Sequence, residues 1–352
     1  MNNNKSMSGF QDAIFALDAL GSQLTNYISH LNTTTKTHSL LADAVKLAPI
    51  HNAWFTKEHC EAALRDWGQL LQKDNLSSWL SGYPDPKETE QVVGLVLAGN
   101  LPLVGLHDVL SVLISGHKAK IKMSSKDNIL LPALLDILFD IYPHWASRVS
   151  LISDQLGSVD KVIATGSNNS SRYFSYYFSD KPHIIRRNRN SVAVLDGKET
   201  ADQLQGLSND ICRYFGLGCR SVSKLWVPRG YDFDILFGAL YQHRSMINHN
   251  AYANNYDYNK AIFLMNQEPL LDNGFVILKE DDQLSSPIAC LYYSYYDKHS
   301  EVEKAIESQQ ENIQCVVTNS KVENAVAMGQ AQSPKLDDYA DNVDTLAFLL
   351  KN

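Results

Sequence analysis

Val92-Val93-Gly94-Leu95-Val96-Leu97-Ala98-Gly99-Asn100-Leu101-Pro102 is the stretch that sets the fold class. Residues 92–98 are apolar apart from Gly94, the pattern of a strand buried on both faces. The run breaks at Gly99-Asn100. Pro102 suits the first turn of a following helix, where a missing N–H costs nothing, and a helical pattern runs over 103–114 to Ser115-Gly116. Outward from there the alternation repeats: a strand at 119–123, a helix from about 128 to 141 stopped by Pro143, strands at 148–153 and 161–164, and a helix after Gly166-Ser167. Strands alternating with helices predict a parallel α/β sheet. Upstream, residues 10–79 read as helical, with Leu17, Leu20, Leu24 and Ile28 and then Ala63, Leu64 and Trp67 at helical spacing. The turn-rich Ser81-Gly82-Tyr83-Pro84-Asp85-Pro86 closes that section.

A chain of 352 residues is long for one core, so two domains are expected. The formal net charge of -8 disfavours a nucleic-acid or anionic-membrane surface. No window approaches the length of a membrane span, and residues 1–11 lack the apolar core of a secretory leader. The five cysteines, Cys60, Cys212, Cys219, Cys290 and Cys315, are scattered without metal-ligand spacing. Reduced thiols in the cytoplasm are the simplest expectation.

Open α/β sheets bind ligands at the carboxyl ends of their strands. Three such ends carry suitable groups. Asn100 offers an amide donor, Lys122-Met123-Ser124-Ser125-Lys126 offers a cation with two hydroxyls, and Thr165-Gly166-Ser167-Asn168 offers a small hydroxyl-bearing turn into a helix. Taken singly, each reads more readily as an N-cap or loop turn. Gly-x-Gly-x-x-Gly is absent, so the standard dinucleotide fingerprint is not in play. Further on, Phe215-Gly216-Leu217-Gly218-Cys219 places a cysteine on a glycine-flanked turn between a helix and the strand at 224–227. A thiol on such a turn can act as a nucleophile, although glycine-flanked cysteines are more often small buried hydrophobes.

In order and spacing these segments resemble the aldehyde dehydrogenase superfamily, and within it the acyl-CoA reductases that make fatty aldehydes for bacterial luminescence. Ala98 to Pro102 is similar to the Asn-x-Pro strand end, Ile121-Lys122-Met123-Ser124 to the lysine-bearing segment, Ala164-Thr165-Gly166-Ser167 to the Phe-Thr-Gly-Ser turn, and Gly216-Leu217-Gly218-Cys219 to the Gly-Gln-x-Cys nucleophile. The resemblance covers about residues 90–320. It implies an aldehyde-dehydrogenase-like fold: a Rossmann-like nucleotide-binding domain with the helical section at 1–186, an α/β catalytic domain at 187–325, and a C-terminal segment at 326–352 that packs on the first domain or in an oligomer contact.

The resemblance further implies that Cys219 forms an acyl-enzyme from an acyl-CoA thioester. Asn100 and the Cys219 backbone N–H would serve the oxyanion, Lys122 and Ser124 the adenosine ribose, and Gly166 and Ser167 the pyrophosphate. Where the hydrolytic branch has Glu-Leu-Gly-Gly, this chain has Ile185-Arg186-Arg187-Asn188-Arg189-Asn190, with no carboxylate to activate water. That favours reduction to the aldehyde over hydrolysis. Ser125 followed by Lys126, in place of an acidic residue, favours NADPH over NADH. Gln283 falls where the superfamily has the glutamate that grips the nicotinamide ribose. A partner enzyme handing over the acyl group and a homodimer both fit the resemblance. The rival readings are an aldehyde dehydrogenase or thioesterase using Cys219 with water, and a non-catalytic partner protein that keeps the fold.

Other features read as structural. Cys212 belongs to a helix face. Tyr173, Phe174, Tyr176, Tyr177 and Phe178 read as core packing, and residues 291–296 as a strand with alternate faces buried. The run Arg186, Arg187 and Arg189 suits CoA phosphates or, equally, a solvated surface or an interface.

Overall fold

The computed structural model describes residues 9–351 apart from 32, 88, 321, 323 and 324. Residues 1–8, part of the stretch read above as lacking a leader, lie outside the described residues. The chain divides into two compact units, Met1–Arg187 with Lys335–Asn352, and Asn188–Pro334.

In the first unit four helices come first, α1 (Phe10–Ile28), α2 (Lys36–His51), α3 (Lys57–Leu70) and α4 (Lys73–Leu80). Thr35 and Thr56 start α2 and α3 by accepting the N–H of His38 and His59 on their hydroxyls. Leu17, Leu20 and Leu24 of α1 are fully buried together with Leu41, Leu64 and Leu71. The sheet follows: β1 (Val92–Val96), β2 (Lys118–Lys122), β3 (Val149–Ile152), β4 (Lys161–Thr165) and β5 (His183–Arg186), all parallel, in the order β3-β2-β1-β4-β5. The helices α5 (Leu106–Ile114), α6 (Leu130–Ile141) and α7 (Asn168–Tyr177) connect them. Strand order reverses between β1 and β4, the switch point at which such sheets open a crevice.

The helix after β1 starts at Leu106, not at 103. Pro102 lies in the turn before it, and Leu103 takes a left-handed φ of 61° with its N–H donated to Asp127 Oδ2 at 2.8 Å. A long-range bond thus holds back a helix that the local pattern would have started earlier.

The segment from Lys335 returns to this unit and ends in α12 (Thr345–Leu350). Leu346 and Leu349 enter the first core. Trp79 Nε1 donates to Tyr339 Oη at 2.7 Å, and His117 Nε2 lies 3.0 Å from the Leu349 carbonyl. The buried ammonium of Lys161 donates to the carbonyls of Phe348, Leu349 and Lys351 at the end of α12. A cation is favoured at a helix C-terminus, where the last carbonyls lack partners.

The second unit holds β6 (Asn190–Val194), α8 (Ala201–Cys212), β7 (Val222–Pro228), α9 (Phe233–Leu240), α10 (Asn250–Met265), β8 (Leu271–Asp272), β9 (Ile277–Glu280), β10 (Cys290–Tyr296), α11 (His299–Ser308) and β11 (Ile313–Val317). The sheet order is β11-β6-β7-β10-β9-β8, parallel except at β8, which pairs antiparallel with β9. Thr200 and Gln203 form a capping box at the start of α8. Burial along β10 is nearly continuous and does not alternate, because the strand is central between β7 and β9 and covered on both faces. Among the described residues no helix is long and apolar enough to cross a membrane.

Candidate active site

In the first unit the structure brings the predicted ligand-binding turns to one edge. β2, β1 and β4 are adjacent, with Val96 in register with both Lys122 and Ala164. Their carboxyl ends therefore present Asn100, the Lys122–Ser125 stretch and Gly166-Ser167 side by side. Two of the turns touch: a Cβ on Gly99 would sit 2.5 Å from Ser124 Oγ and 3.1 Å from the Asp127 nitrogen. Only glycine allows that approach. Asn52 ties the same pair by donating to the Lys126 carbonyl at 3.2 Å and the Gly99 carbonyl at 3.5 Å. Asn100, Ser125 and Lys126 are exposed, while Lys122 and Ser124 are half-buried. The Ser124 hydroxyl accepts the Lys126 N–H. The Ser167 hydroxyl caps α7 by accepting the Ser170 N–H at 3.2 Å.

Beneath these turns lies a residue missed in the sequence. Asp127 is buried, its Oδ2 holds Leu103, and its Oδ1 has no hydrogen-bond partner. Burial pushes its carboxyl up to about 6, against the pull of the Leu103 N–H.

In the second unit Cys219 stands on the turn before β7 and is exposed. Tyr214, Phe215 and Gly216 precede it, all left-handed, with φ of 55°, 58° and 73°. Bulky residues avoid that region because Cβ crowds the following carbonyl. The packing that holds them there is visible. The Phe215 ring lies 4.5 Å from that of His249 and 5.7 Å from that of Tyr252. The Arg213 guanidinium lies over the Tyr214 ring. The turn is then clamped from several sides. Ser191 Oγ of β6 donates to the Cys219 carbonyl at 2.9 Å, Arg220 Nε donates to the Ala331 carbonyl at 2.6 Å, and Gln332 Nε2 donates to Ser221 Oγ at 3.2 Å. Asp210 of α8 fixes that last segment by accepting the N–H groups of Gly329 and Ala331.

The remaining cysteines differ in kind. Cys60, Cys212 and Cys290 are buried and Cys315 is half-buried. Burial pushes the Cys60 and Cys290 thiols up to about 12 and Cys212 higher still. Cys212 sits in the core face of α8, as its spacing suggests.

Two expectations need correction. Tyr173, Tyr176 and Tyr177 are exposed, and within the aromatic run only Phe174 and Phe178 pack on the sheet. A short helix on one face of a sheet has a single inward stripe, which two residues fill. Arg186 does not lie on a solvated surface. It is buried in an ion pair with Asp108 and donates to Thr345 Oγ1 at 2.8 Å. Arg187 is exposed, and Arg189 donates to the Ile313 carbonyl.

A sequence profile of the acyl-CoA reductase (LuxC) family matches residues 17–235. The chain belongs to this family. The match bears out the resemblance read from the motifs. It also takes in most of the helical section before residue 80, which carries no motif of its own and yet packs into the first core. Curated relatives include long-chain acyl-protein thioester reductase 2 of Photobacterium leiognathi, 26% identical over 162 residues, 42% of this chain and 34% of that one. Another, the long-chain acyl-protein thioester reductase of Aliivibrio fischeri, is 24% identical over 209 residues, 53% and 42% of the two chains. The matched part of this LuxC-family chain thus spans less than half the length of either relative.

Solved structures share the fold. The NAD+ complex of an aldehyde dehydrogenase from Bacillus cereus superposes with a TM-score of 0.59 at 13% identity, covering 88% of this chain and 72% of that one. An aldehyde dehydrogenase from Burkholderia cenocepacia gives 0.63 at 10% identity, covering 88% and 74%. The aldehyde-dehydrogenase-like fold expected from the motifs is the fold observed.

Proposed function

We propose that this LuxC-family chain reduces a long-chain acyl thioester to the aldehyde through an acyl-enzyme on Cys219. The observation that carries the reading is the exposed Cys219 on a strained, clamped turn, set against four cysteines that are buried or half-buried. Strain of this kind costs about 1–3 kcal/mol per residue and persists where the surrounding packing over-determines it, often at functional sites. Cys219, as thiolate, would attack the thioester carbonyl and expel the carrier thiol. The Cys219 N–H is the donor proposed for the oxyanion. Acyl-CoA is the donor proposed first, and the names of the curated relatives add an acyl-protein thioester as a second form.

The edge of the first sheet fits a dinucleotide phosphate in its donor chemistry. It offers the Lys122 ammonium, the Ser125 hydroxyl, the Lys126 ammonium and the first turn of α7, with the carboxyl of Asp127 buried. Gly166 keeps the approach narrow, since a Cβ there would meet Ser170 and Phe174 at 2.8–2.9 Å. Lys122 and Ser124 would hold the adenosine ribose, Gly166 and Ser167 the pyrophosphate, and Ser125 with Lys126 a 2′-phosphate. NADPH would supply a hydride for the acyl carbon, and the hemithioacetal anion so formed would expel the Cys219 thiolate to release aldehyde. An exposed thiol needs a reducing compartment, which favours the cytoplasm.

NADPH consumption measured across a panel of acyl-CoA chain lengths, with the product identified, tests the reading. Aldehyde is expected. Cys219→Ala should lose covalent acyl labelling and at least about a thousandfold in rate, as removal of a nucleophile does, while Cys212→Ala should keep most activity. Free acid as the product would favour the hydrolytic alternative, and labelling that survives in Cys219→Ala would rule out this nucleophile.

A further inference from the structure

Between α9 and α10 the chain runs through eight residues of 3₁₀ helix, Tyr241–Asn248. Such a helix repeats every three residues, so side chains at i and i+3 stand one above the other. Tyr241, Arg244 and Ile247 form one row, and Gln242, Ser245 and Asn248 the next. The third row turns back into the second unit: His243 Nε2 lies 3.3 Å from the Ser208 hydroxyl, and Met246 packs on the core shared by α8 and α9. The first two rows and the 273–275 turn between β8 and β9 line a cavity of about 540 Å³. That volume holds an organic ligand, and every lining residue belongs to the second unit.

The lining has the chemistry of an anion site. Arg244 is its one charged residue. The guanidinium lies 4.6 Å from the centroid of the Tyr241 ring, and it has no carboxylate partner among the described residues. Stacking fixes the plane of an arginine and leaves its N–H edge open for an oxyanion. The Ser245 and Asn248 side chains likewise bond to no described residue. Asn273 is the residue that folding explains least. Its Oδ1 accepts the N–H groups of Phe275 at 3.2 Å and Val276 at 2.9 Å, which fixes the way the amide faces. Its Nδ2 is buried with no acceptor among the described residues. Buried donors are nearly always satisfied, so this one calls for an oxygen that the chain does not supply. The preceding carboxylate, Asp272, is neutralised by Lys260 at 2.5 Å and accepts the Gly274 N–H at 2.8 Å. A Cβ on Gly274 would meet nothing within 4 Å, so nothing crowds that side.

The same walls reach the turn of the nucleophile. His249, next after Asn248, has its ring 4.5 Å from that of Phe215. Tyr252 donates its hydroxyl to the Phe275 carbonyl at 2.9 Å, and its ring lies 5.7 Å from Phe215. We propose that this cavity binds a phosphate group of the acyl donor, with Arg244 and the Asn248 and Asn273 amides holding a phosphate of CoA. The inference rests on the reading of Cys219 as the residue that accepts the acyl group. CoA carries its phosphates at one end of a flexible pantetheine arm and the thioester at the other. Such a donor needs a phosphate subsite apart from the thiol it reacts with.

The test uses the full chain as wild type, Arg244→Gln, Arg244→Lys and Asn248→Asp, substitutions at exposed positions. Steady-state reduction is measured with dodecanoyl-CoA and with dodecanoyl-pantetheine, which lacks every phosphate. CoA binding is measured by calorimetry, with inorganic phosphate as competitor. Arg244→Gln is expected to raise KM for the CoA thioester and weaken CoA binding about tenfold, as loss of a charge-assisted bond does. For the pantetheine thioester the change should stay within about twofold. Arg244→Lys should recover part of the loss, since it keeps the charge and not the fork. Asn248→Asp sets a carboxylate in the lining and should raise KM for the CoA thioester about fivefold. Equal shifts for the two thioesters, or none, overturn the proposal and leave the acyl-enzyme reading standing. Phosphate binding that needs Arg244 while CoA binding does not shows a site for the free ion, and overturns the assignment to CoA. A wild type that reduces neither thioester counts against the acyl-enzyme reading instead. Calorimetry then decides the site: weaker CoA binding in Arg244→Gln supports it, and equal affinity overturns it.

Discussion

Single residues show where charge and conformation are set. Asp127 is a buried carboxyl near 6 that joins the Asn100 turn to the Ser124 turn. Its folded value lies above the ordinary carboxyl near 4, so the folded state favours the protonated form. The stability this contributes is fully present below about pH 4 and is lost as pH rises through about 6, roughly 2–3 kcal/mol in all. Asp127→Asn keeps an oxygen for the Leu103 N–H and carries no charge. Its melting temperature should match the wild type near pH 4 and exceed it by several degrees at pH 7, as followed by calorimetry across that range. Ser125 bears on cofactor choice. Ser125→Glu sets a carboxylate where a 2′-phosphate is proposed, so KM for NADPH should rise about tenfold or more while KM for NADH changes little. Equal losses with both cofactors would show that Ser125 does not face that phosphate. The Ser125-Lys126 pair was legible in the sequence because its two members are neighbours. The bonds of the buried Lys224 to the Asp281 carbonyl and to Ser294 Oγ were not, because these partners lie 57 and 70 positions away.

At the scale of elements, α8 shows how the Cys219 turn is held. Gly206 on α8 faces the 328–329 segment, and a Cβ there would meet the Met328 carbonyl at 2.9 Å and the Gly329 Cα at 3.0 Å. That segment cannot easily yield, since Asp210 one turn along α8 binds the N–H groups of Gly329 and Ala331. Gly206→Ala gains about 1 kcal/mol of helix propensity but overpacks by about 1–3 kcal/mol. The variant should unfold at lower denaturant concentration, and Cys219 should be alkylated faster as the clamp through Arg220 and Ser221 loosens. Unchanged alkylation would mean that the clamp does not govern the turn. The helices and strands themselves were largely legible, because apolar periodicity is a local property. The start of α5 and the exposure of Tyr173, Tyr176 and Tyr177 were not, since each depends on what the neighbouring element covers.

The chain divides into two compact units, and its last segment belongs to the first of them. A chain cut after Pro334 keeps every residue of the second unit. It removes Tyr339, Thr345, Leu346 and Leu349 from the first, leaving Lys161 and the Arg186–Asp108 pair with fewer partners. Amide exchange should therefore rise in β1, β2, β4 and β5 and stay level in β6, β7 and β10. The opposite pattern would show that residues 335–352 stabilise the second unit. From sequence alone came the alternation of strands and helices, the turns at Asn100, Ser124 and Gly166, the cysteine of interest and the family, because each is written in contiguous residues whose spacing fixes their backbone. Tertiary structure alone decided that Arg186 is an internal ion pair, that Asp127 joins two turns, that Tyr214 and Phe215 are held left-handed and that Lys224 fastens a distant segment. Those facts depend on desolvation and on partners brought close by folding, and neither quantity exists until the chain has packed.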